Sequence, residues 1–152
     1  MRILAIDPAT KTGWAHSDGD SGTWDLSIKS DESSGMRLMR FRAKIREIYN
    51  GLGFDLIVYE SPSVASGKKA NMKGFQLISK LQGVIEVFVE SRPGLEAKGY
   101  NLSTIKKHAG CRTKDDMVAA AKLKWTDIEI EDDNQADALW LLDLAQWDLG
   151  VE

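Results

Sequence analysis

Two short apolar runs, each followed at once by an acid, are the clearest pattern along the chain. The first run, residues 3–6, precedes Asp7, and the second, within residues 55–59, precedes Glu60; a proline follows each acid within two residues. A continuous apolar run is typical of a strand that is covered on both faces, and proline ends regular pairing because it lacks a backbone donor. The pattern predicts two buried strands that each deliver one carboxylate to a strand end.

The segment after the first acid is predicted to be a hairpin. Gly13 is interpreted as permitting a tight reversal of the chain. Asp18-Gly19 lies between β-forming stretches and is a good turn signal. Strands over 12–17 and 23–28 then complete a three-stranded antiparallel meander.

Helical periodicity dominates the rest of the chain. Apolar residues spaced three and four positions apart predict an amphipathic helix over 35–49 and a longer helix over about 73–91. The other predicted elements are a short strand over 95–101, a helical turn over 103–109, a helix over 114–125 with Thr113 as its N-cap, and a last helix from Asp132 to about Trp147. This order predicts the α/β class, with a five-stranded mixed sheet of three antiparallel and then two parallel strands, flanked by helices.

Length and composition narrow the class of protein. The 152 residues show no repeat or low-complexity tract, so we expect a single domain over 1–152 with a sizeable core. No run of about 18 apolar residues occurs, so we expect no membrane span, and the N-terminus has no signal-peptide pattern. The lone Cys111 excludes a disulfide framework and a cysteine-built zinc site. These features predict a cytoplasmic protein.

The net charge of −3 conceals an uneven distribution along the sequence. Residues 125–152 carry nine acids and no lysine or arginine, which leaves +6 on residues 1–124. Within that part, residues 68–80 and 98–114 contain lysine or arginine but no acid. Clustered basic charge indicates an anionic partner. Any one of these lysines, taken alone, is more simply interpreted as a solvated surface residue.

A third acid, Asp137, lies on the predicted last helix. It shares a helix face with Leu141, one turn later, and a carboxylate on a core-facing stripe is costly without a partner. Asp133, four residues earlier, and Asn134, three earlier, lie on the same side. Asp132 is more simply a helix cap than a ligand, and Asp133 has an alternative role as a partner of the helix dipole.

Acids at two strand ends and on one helix face suggest a metal site. Carboxylates that converge raise each other's pKa, and a hard divalent cation such as Mg²⁺ removes that penalty. Asp7, Glu60 and Asp137 would then suit two-metal phosphodiester hydrolysis. Two of these acids also have simpler explanations, Asp7 as a turn residue and Glu60 as half of a salt bridge at a strand end.

Five segments, in order, resemble the RuvC-type Holliday junction resolvases. Residues 6–14 are similar to the opening strand and turn of that family, and 59–62 to its second acidic strand end. Residues 77–85 are similar to the helix after it, 105–110 followed by 113–114 to its basic segment, and 134–139 to its terminal helix. The resemblance implies an RNase H-like fold and a homodimer. It also implies symmetrical cutting of four-way DNA junctions with Mg²⁺ or Mn²⁺, two ions per active site. The compact length is more similar to phage-encoded members, which would act in the host cytoplasm.

By this resemblance, Asp7, Glu60 and Asp137 would be metal ligands and catalytic residues. The family often has Asp or His three residues before the last acid, where this chain has Asn134. Either Asp133 reaches the metal through a shifted helix start or Asn134 ligates through its carbonyl, and we favour Asp133. The stretch after Glu60 also lacks the aromatic that some members insert near the junction centre.

The resemblance also assigns the basic segments. The residues predicted to bind DNA are Lys68, Lys69, Lys73, Lys106, Lys107, Arg112 and Lys114. Of these, Lys106 and Lys114 are expected nearest the scissile phosphates, and the helix over 73–91 is expected at the dimer interface. Three alternatives remain: a nuclease of the same fold acting on flaps, forks or RNA–DNA hybrids; a junction-binding module that does not cut; and an ATPase-like nucleotide-binding domain, which normally requires two such domains.

Overall fold

The structure is a computed structural model that describes residues 1–62 and 72–151. Its elements in chain order are β1 (Ile3–Asp7), β2 (Lys11–His16), β3 (Ser21–Asp25), α1 (Ser34–Gly51), β4 (Leu56–Glu60), α2 (Met72–Glu90), β5 (Glu96–Tyr100), α3 (Leu102–Ala109), α4 (Lys114–Lys124) and α5 (Asp133–Leu149). The order and type of these elements agree with those predicted from the sequence. Among the described residues, none of the helices combines the length and the apolarity needed to cross a membrane.

The five strands form one mixed sheet in the order β3-β2-β1-β4-β5. β2 pairs antiparallel with both β1 and β3, whereas β4 pairs parallel with β1 and with β5. The predicted five-stranded mixed sheet is therefore confirmed. β1 is central, and its register with β4 pairs Ile6 with Tyr59. The residues that follow this pair, Asp7 and Glu60, thus lie side by side at the carboxyl ends of two neighbouring strands.

Alternation along β1 and β4 divides the apolar side chains between two cores. Ile3, Ala5, Leu56 and Val58 pack on the face covered by α4 and α5. The residues between them, Leu4, Ile6, Ile57 and Tyr59, pack on the other face, under α1 and α2. Successive side chains of a strand point to opposite faces, so a strand covered on both sides needs apolar residues at every position. This explains the two continuous runs.

Two details of the opening meander differ from the prediction. β3 ends at Asp25 rather than at Ile28, because the Asp25 carboxylate accepts hydrogen bonds from the backbone N–H and hydroxyl of Ser27, which bends the chain there. Gly13 is not at a reversal. It lies inside β2 and has no positive φ, so its conformational freedom is not what this position uses.

α5 is the most buried of the helices in the described part of the chain, and it lies across β1 and β2. Asp132 caps it, since its carboxylate accepts a hydrogen bond from the backbone N–H of Gln135 at 2.8 Å. Farther along, Trp140 Nε1 donates to the carbonyl of Met117 in α4 at 3.0 Å. The cap and this packing fix the start of α5 over the carboxyl end of the central strand.

Candidate active site

Asp7 and Glu60 point to the same face of the sheet. Asp7 continues the alternation of Ile3 and Ala5, and Glu60 continues that of Leu56 and Val58, so both acids are on the side that α5 covers. Asp7 is only 7% exposed, while Glu60 is half-buried. The sheet therefore delivers two carboxylates to one place beneath the start of α5.

Asp137 joins Asp7 and Glu60 from α5, the helix that covers this face of the sheet. It lies one turn into α5, and the residues one and two turns later, Leu141 and Leu144, are buried in the core, as the apolar stripe predicted. The side chain of Asp7 hydrogen-bonds with both Glu60 and Asp137. The structure thus brings the three acids singled out in the sequence into direct contact.

Burial and mutual repulsion dominate the electrostatics of these carboxyl groups. The pKa of Asp7 is raised well above its ordinary value, chiefly by burial. The charge of Glu60, a hydrogen bond with Glu60 and the charge of Asp137 raise it further, in that order of size. Burial and the charge of Glu60 raise the pKa of Asp137 to about 6. The hydrogen bond with Asp7 acts in the opposite direction on the Asp137 pKa, because Asp137 accepts it. Burial and the neighbouring carboxylates thus disfavour the charged form of both Asp7 and Asp137.

These residues fit a hard divalent cation by their chemistry. They supply only oxygen donors, and a bound cation would offset the repulsion between their charges. Within residues 1–62 and 72–151, however, no three His, Cys, Asp or Glu side chains stand in an arrangement that could hold a metal ion. Binding of a cation therefore requires these side chains to rearrange.

The two candidates for a fourth ligand have different surroundings. The side chain of Asp133 is 40% exposed and lies 3.5 Å from the ammonium of Lys114. Its charge contributes to the raised pKa of Asp137, so it belongs to the same electrostatic group. Asn134 lies beside it, and its backbone carbonyl occupies the space that a Cβ on Gly13 would need.

Among the described basic residues predicted to bind DNA, Lys114 is the one whose charge acts on the acids. It is the first residue of α4, and its charge lowers the pKa of both Asp7 and Asp137. Lys106 lines a cavity of about 490 Å³ together with Ser103, at the carboxyl end of β5. The remaining predicted residues are Lys73, Lys107 and Arg112, which are exposed, and Lys68 and Lys69, which lie outside the described residues.

The sequence interpretation missed a set of contacts that hold the start of α5 against the hairpin. Thr23 Oγ1 donates to both carboxylate oxygens of Asp132, at 2.8 and 2.9 Å. Gln135 Nε2 donates to Ser21 Oγ at 3.0 Å. The Gln135 amide oxygen accepts a hydrogen bond from the backbone N–H of Glu131 at 2.9 Å. Nothing local in the sequence connects residues that are more than 100 positions apart.

Comparison with known proteins identifies the fold. No protein-family model matches the chain, and no curated protein matches it. A solved structure of RuvC from Thermus thermophilus matches with a TM-score of 0.72 and 16% identity, over 99% of this chain and 98% of that one.

Two other solved structures agree with this result. T. thermophilus RuvC in complex with a Holliday junction substrate matches with a TM-score of 0.73 and 13% identity, over 99% of this chain and 97% of that one. The yeast mitochondrial Holliday junction resolvase Ydc2 matches with a TM-score of 0.63 and 14% identity, over 97% and 80%. At such identities the likeness is one of fold. It confirms the RNase H-like α/β architecture and, at the level of fold, the resemblance to RuvC-type resolvases, whereas a phage origin stays a prediction.

Proposed function

We propose that this protein is a metal-dependent endonuclease that resolves four-way DNA junctions. The observation that carries the proposal is the direct contact of Asp7, Glu60 and Asp137 on one face of an RNase H-like sheet, at the carboxyl ends of the central strands. Ligand sites of open α/β sheets gather at this end. One of the solved structures described above is a complex with a Holliday junction substrate, and another is named a Holliday junction resolvase. Both favour a branched DNA substrate.

Asp7, Glu60, Asp137 and Asp133 would hold two Mg²⁺ or Mn²⁺ ions. When bound, such ions supply an activated water and stabilise the leaving oxygen in an in-line displacement, which gives 5′-phosphate and 3′-hydroxyl ends. The protein's own contribution is to hold the four carboxylates in place relative to one another. Asp7 is held by the central strand, Glu60 by its parallel neighbour, and the other two by the start of α5.

The lysines near this cluster would bind the DNA backbone. Lys114 borders the acids, and Lys106 lines the adjacent cavity at the end of β5. Lysine contributes to phosphate binding as a point charge, so binding of DNA is expected to weaken steeply as the salt concentration rises. The three exposed cations, Lys73, Lys107 and Arg112, would extend this surface.

A second copy of the chain would complete the enzyme, since a junction must be cut on two strands and we find one such carboxyl cluster in residues 1–62 and 72–151. The groove between α1 and α2 is the best candidate for the interface. Its cavity of about 750 Å³ is lined by Met36, Met39 and Val87, with Arg42 and Lys80 also in the lining. Met36, Met39 and Val87 are 40%, 53% and 66% exposed. Such an apolar groove on the surface marks an interaction site.

The proposed substrate can be tested by offering a panel of DNA and RNA molecules. The purified protein is incubated with Mg²⁺ or Mn²⁺ and either a four-way junction, a flap, a fork, an RNA–DNA hybrid or a linear duplex. Asp7→Asn removes one carboxylate of the cluster, and Glu47→Gln, an exposed acid on α1, is the matched control. We expect wild type and Glu47→Gln to cut the junction in preference to the other substrates, and Asp7→Asn to be inactive.

Other outcomes of the panel separate the alternatives. Equal cutting of the hybrid and the junction would favour an RNase H-like nuclease with a broader substrate. Tight junction binding without cleavage in either metal would favour a non-catalytic junction-binding module.

A further inference from the structure

The start of α5 is fastened to the hairpin β2–β3 by contacts that involve none of the catalytic acids. The hydrogen bonds among Ser21, Thr23, Asp132 and Gln135 are called the α5 clasp. We propose that this clasp, together with the close backbone contact at Gly13, positions Asp133 and Asp137 for metal binding. This inference rests on the proposed function. In it the clasp residues are positioning residues, since they act on the metal through the two acids that follow Asp132 in α5.

Most side-chain polar atoms of Asp132 and Gln135 in the clasp take part in hydrogen bonds. Both carboxylate oxygens of Asp132 accept from Thr23 Oγ1, and Oδ1 also accepts from the N–H of Gln135. Gln135 is 3% exposed, and its amide donates to Ser21 Oγ and to the carbonyl of Glu129, at 3.0 and 3.2 Å. A buried polar side chain with every partner in place has little freedom to shift.

Gly13 is the second place where the hairpin meets the start of α5. It is the register partner of Asp7 in the β1–β2 pair. A Cβ at this position would overlap the backbone carbonyl of Asn134, which is part of the helix and cannot rotate away. β2 therefore contacts the backbone of α5 between Asp133 and Asp137. The absence of a side chain at Gly13 sets the separation between Asp7, on the strand, and Asp137, on the helix.

The remainder of α5 does not depend on these contacts. Leu139, Leu141 and Leu144 are buried along the helix, and Trp140 is tied to α4 through its indole N–H. Loss of the Thr23 hydroxyl would leave this packing intact and would also leave the cap of Asp132 on Gln135. The helix would keep its place on the sheet, but its first turn would move more freely. The effect is expected on metal affinity more than on folding.

A pair of variants at Thr23 separates positioning from stability. Thr23→Val keeps the shape and the β-branch but removes the hydroxyl, whereas Thr23→Ser keeps the hydroxyl. Binding of Mn²⁺ to the metal-free full chain is measured by calorimetry without DNA, and thermal unfolding is measured beside it. We expect Thr23→Val to weaken Mn²⁺ binding about tenfold, the range seen when groups that orient metal ligands are removed. Thr23→Ser is expected to restore it.

Activity gives a second readout. Thr23→Val is expected to need about tenfold more Mg²⁺ for half-maximal cleavage, with kcat at saturating Mg²⁺ close to wild type. A lower unfolding temperature with unchanged Mn²⁺ affinity would overturn the inference while leaving the proposed function intact. A different outcome is that wild type binds Mn²⁺, that Thr23→Val weakens this binding, and that neither protein cuts any DNA. In that case the inference stands and the proposed function fails.

Discussion

Lys114 Nζ lies 3.5 Å from Asp133 Oδ2, so that the first residue of α4 is ion-paired with the first residue of α5. The lysine is 71% exposed, and such a pair in water contributes little to stability. Its position matters more for the site, because its charge lowers the pKa of both Asp7 and Asp137. Lys114 thereby favours the ionised carboxylates that a metal ion requires.

Removing this charge is expected to change the pH dependence of the proposed cleavage reaction. In Lys114→Met, the pKa values of Asp7 and Asp137 rise, so the acid limb of the cleavage profile moves to higher pH. Lys122→Met, on the same helix and also exposed, is the control and should leave the profile in place. The rate of junction cleavage as a function of pH at saturating Mg²⁺ measures the shift. An acid limb at the same pH in both variants would contradict this role of Lys114.

The carboxyl cluster is expected to destabilise the metal-free protein above pH 6. Folding raises the pKa of Asp137 from 3.8 to about 6, so the folded state binds more protons than the unfolded state between these values. Its stability therefore falls as the pH rises through this window. Asp137→Asn should raise the free energy of unfolding at pH 8, with EDTA, by about 1–3 kcal/mol. Urea denaturation measures this change.

At pH 3, where the carboxyl group of Asp137 is neutral in both the folded and the unfolded state, the gain should disappear. Glu47→Gln is the matched control, since this exposed acid lies outside the cluster. A variant Asp137→Asn that is less stable than wild type at pH 8 would contradict the repulsion described for the site.

A divalent cation is expected to reverse this destabilisation. Mg²⁺ that binds the folded chain alone, at a hundredfold excess over its Kd, stabilises it by about 2.7 kcal/mol. The effect should be large at pH 8 and small at pH 5, because protons compete for the same carboxylates. Asp7→Asn should abolish it. Thermal unfolding with and without Mg²⁺ at the two pH values provides the measurement, and an equal rise in Tm for wild type and variant would place the metal elsewhere.

Much of this architecture could be predicted because the signals were local. The continuous runs before Asp7 and Glu60 reflect strands buried on both faces, and their alternation places both acids under α5. The helix stripe containing Leu141 assigned the inward face of α5. Helix bounds differ from the predicted ones by at most two residues, where ends fray or are capped.

The contacts that locate the start of α5 could not be predicted. Gly13 suggested a turn, whereas it permits the close approach of Asn134, a residue 121 positions away. Thr23 and Asp132 each have ordinary local roles, one in a strand and the other as a cap. Their hydrogen bonds exist only once the sheet and the helix are assembled. Tertiary positioning of a site is not visible in local patterns.

The groove between α1 and α2 is expected to hold a second copy. Val87→Asp places a charge on the most exposed apolar residue of the groove. At micromolar concentration we expect wild type to be a dimer and this variant to be a monomer. Leu123→Asp, on α4 and 82% exposed, is the control for adding a charge outside the groove. Light scattering reports the mass of each variant. A wild-type monomer, or a dimer that Val87→Asp leaves unchanged, would place the interface elsewhere or remove it.

The central claim is that the carboxyl cluster cuts junctions symmetrically with metal. The most direct test labels each strand of a synthetic four-way junction in turn and follows Mg²⁺-dependent cleavage by wild type and by Asp137→Asn. The account predicts paired cuts at matching positions in two opposite strands, with 5′-phosphate ends, made by wild type only. Cleavage that persists in EDTA or in Asp137→Asn, or no junction cleavage by wild type in Mg²⁺ or Mn²⁺, would contradict it.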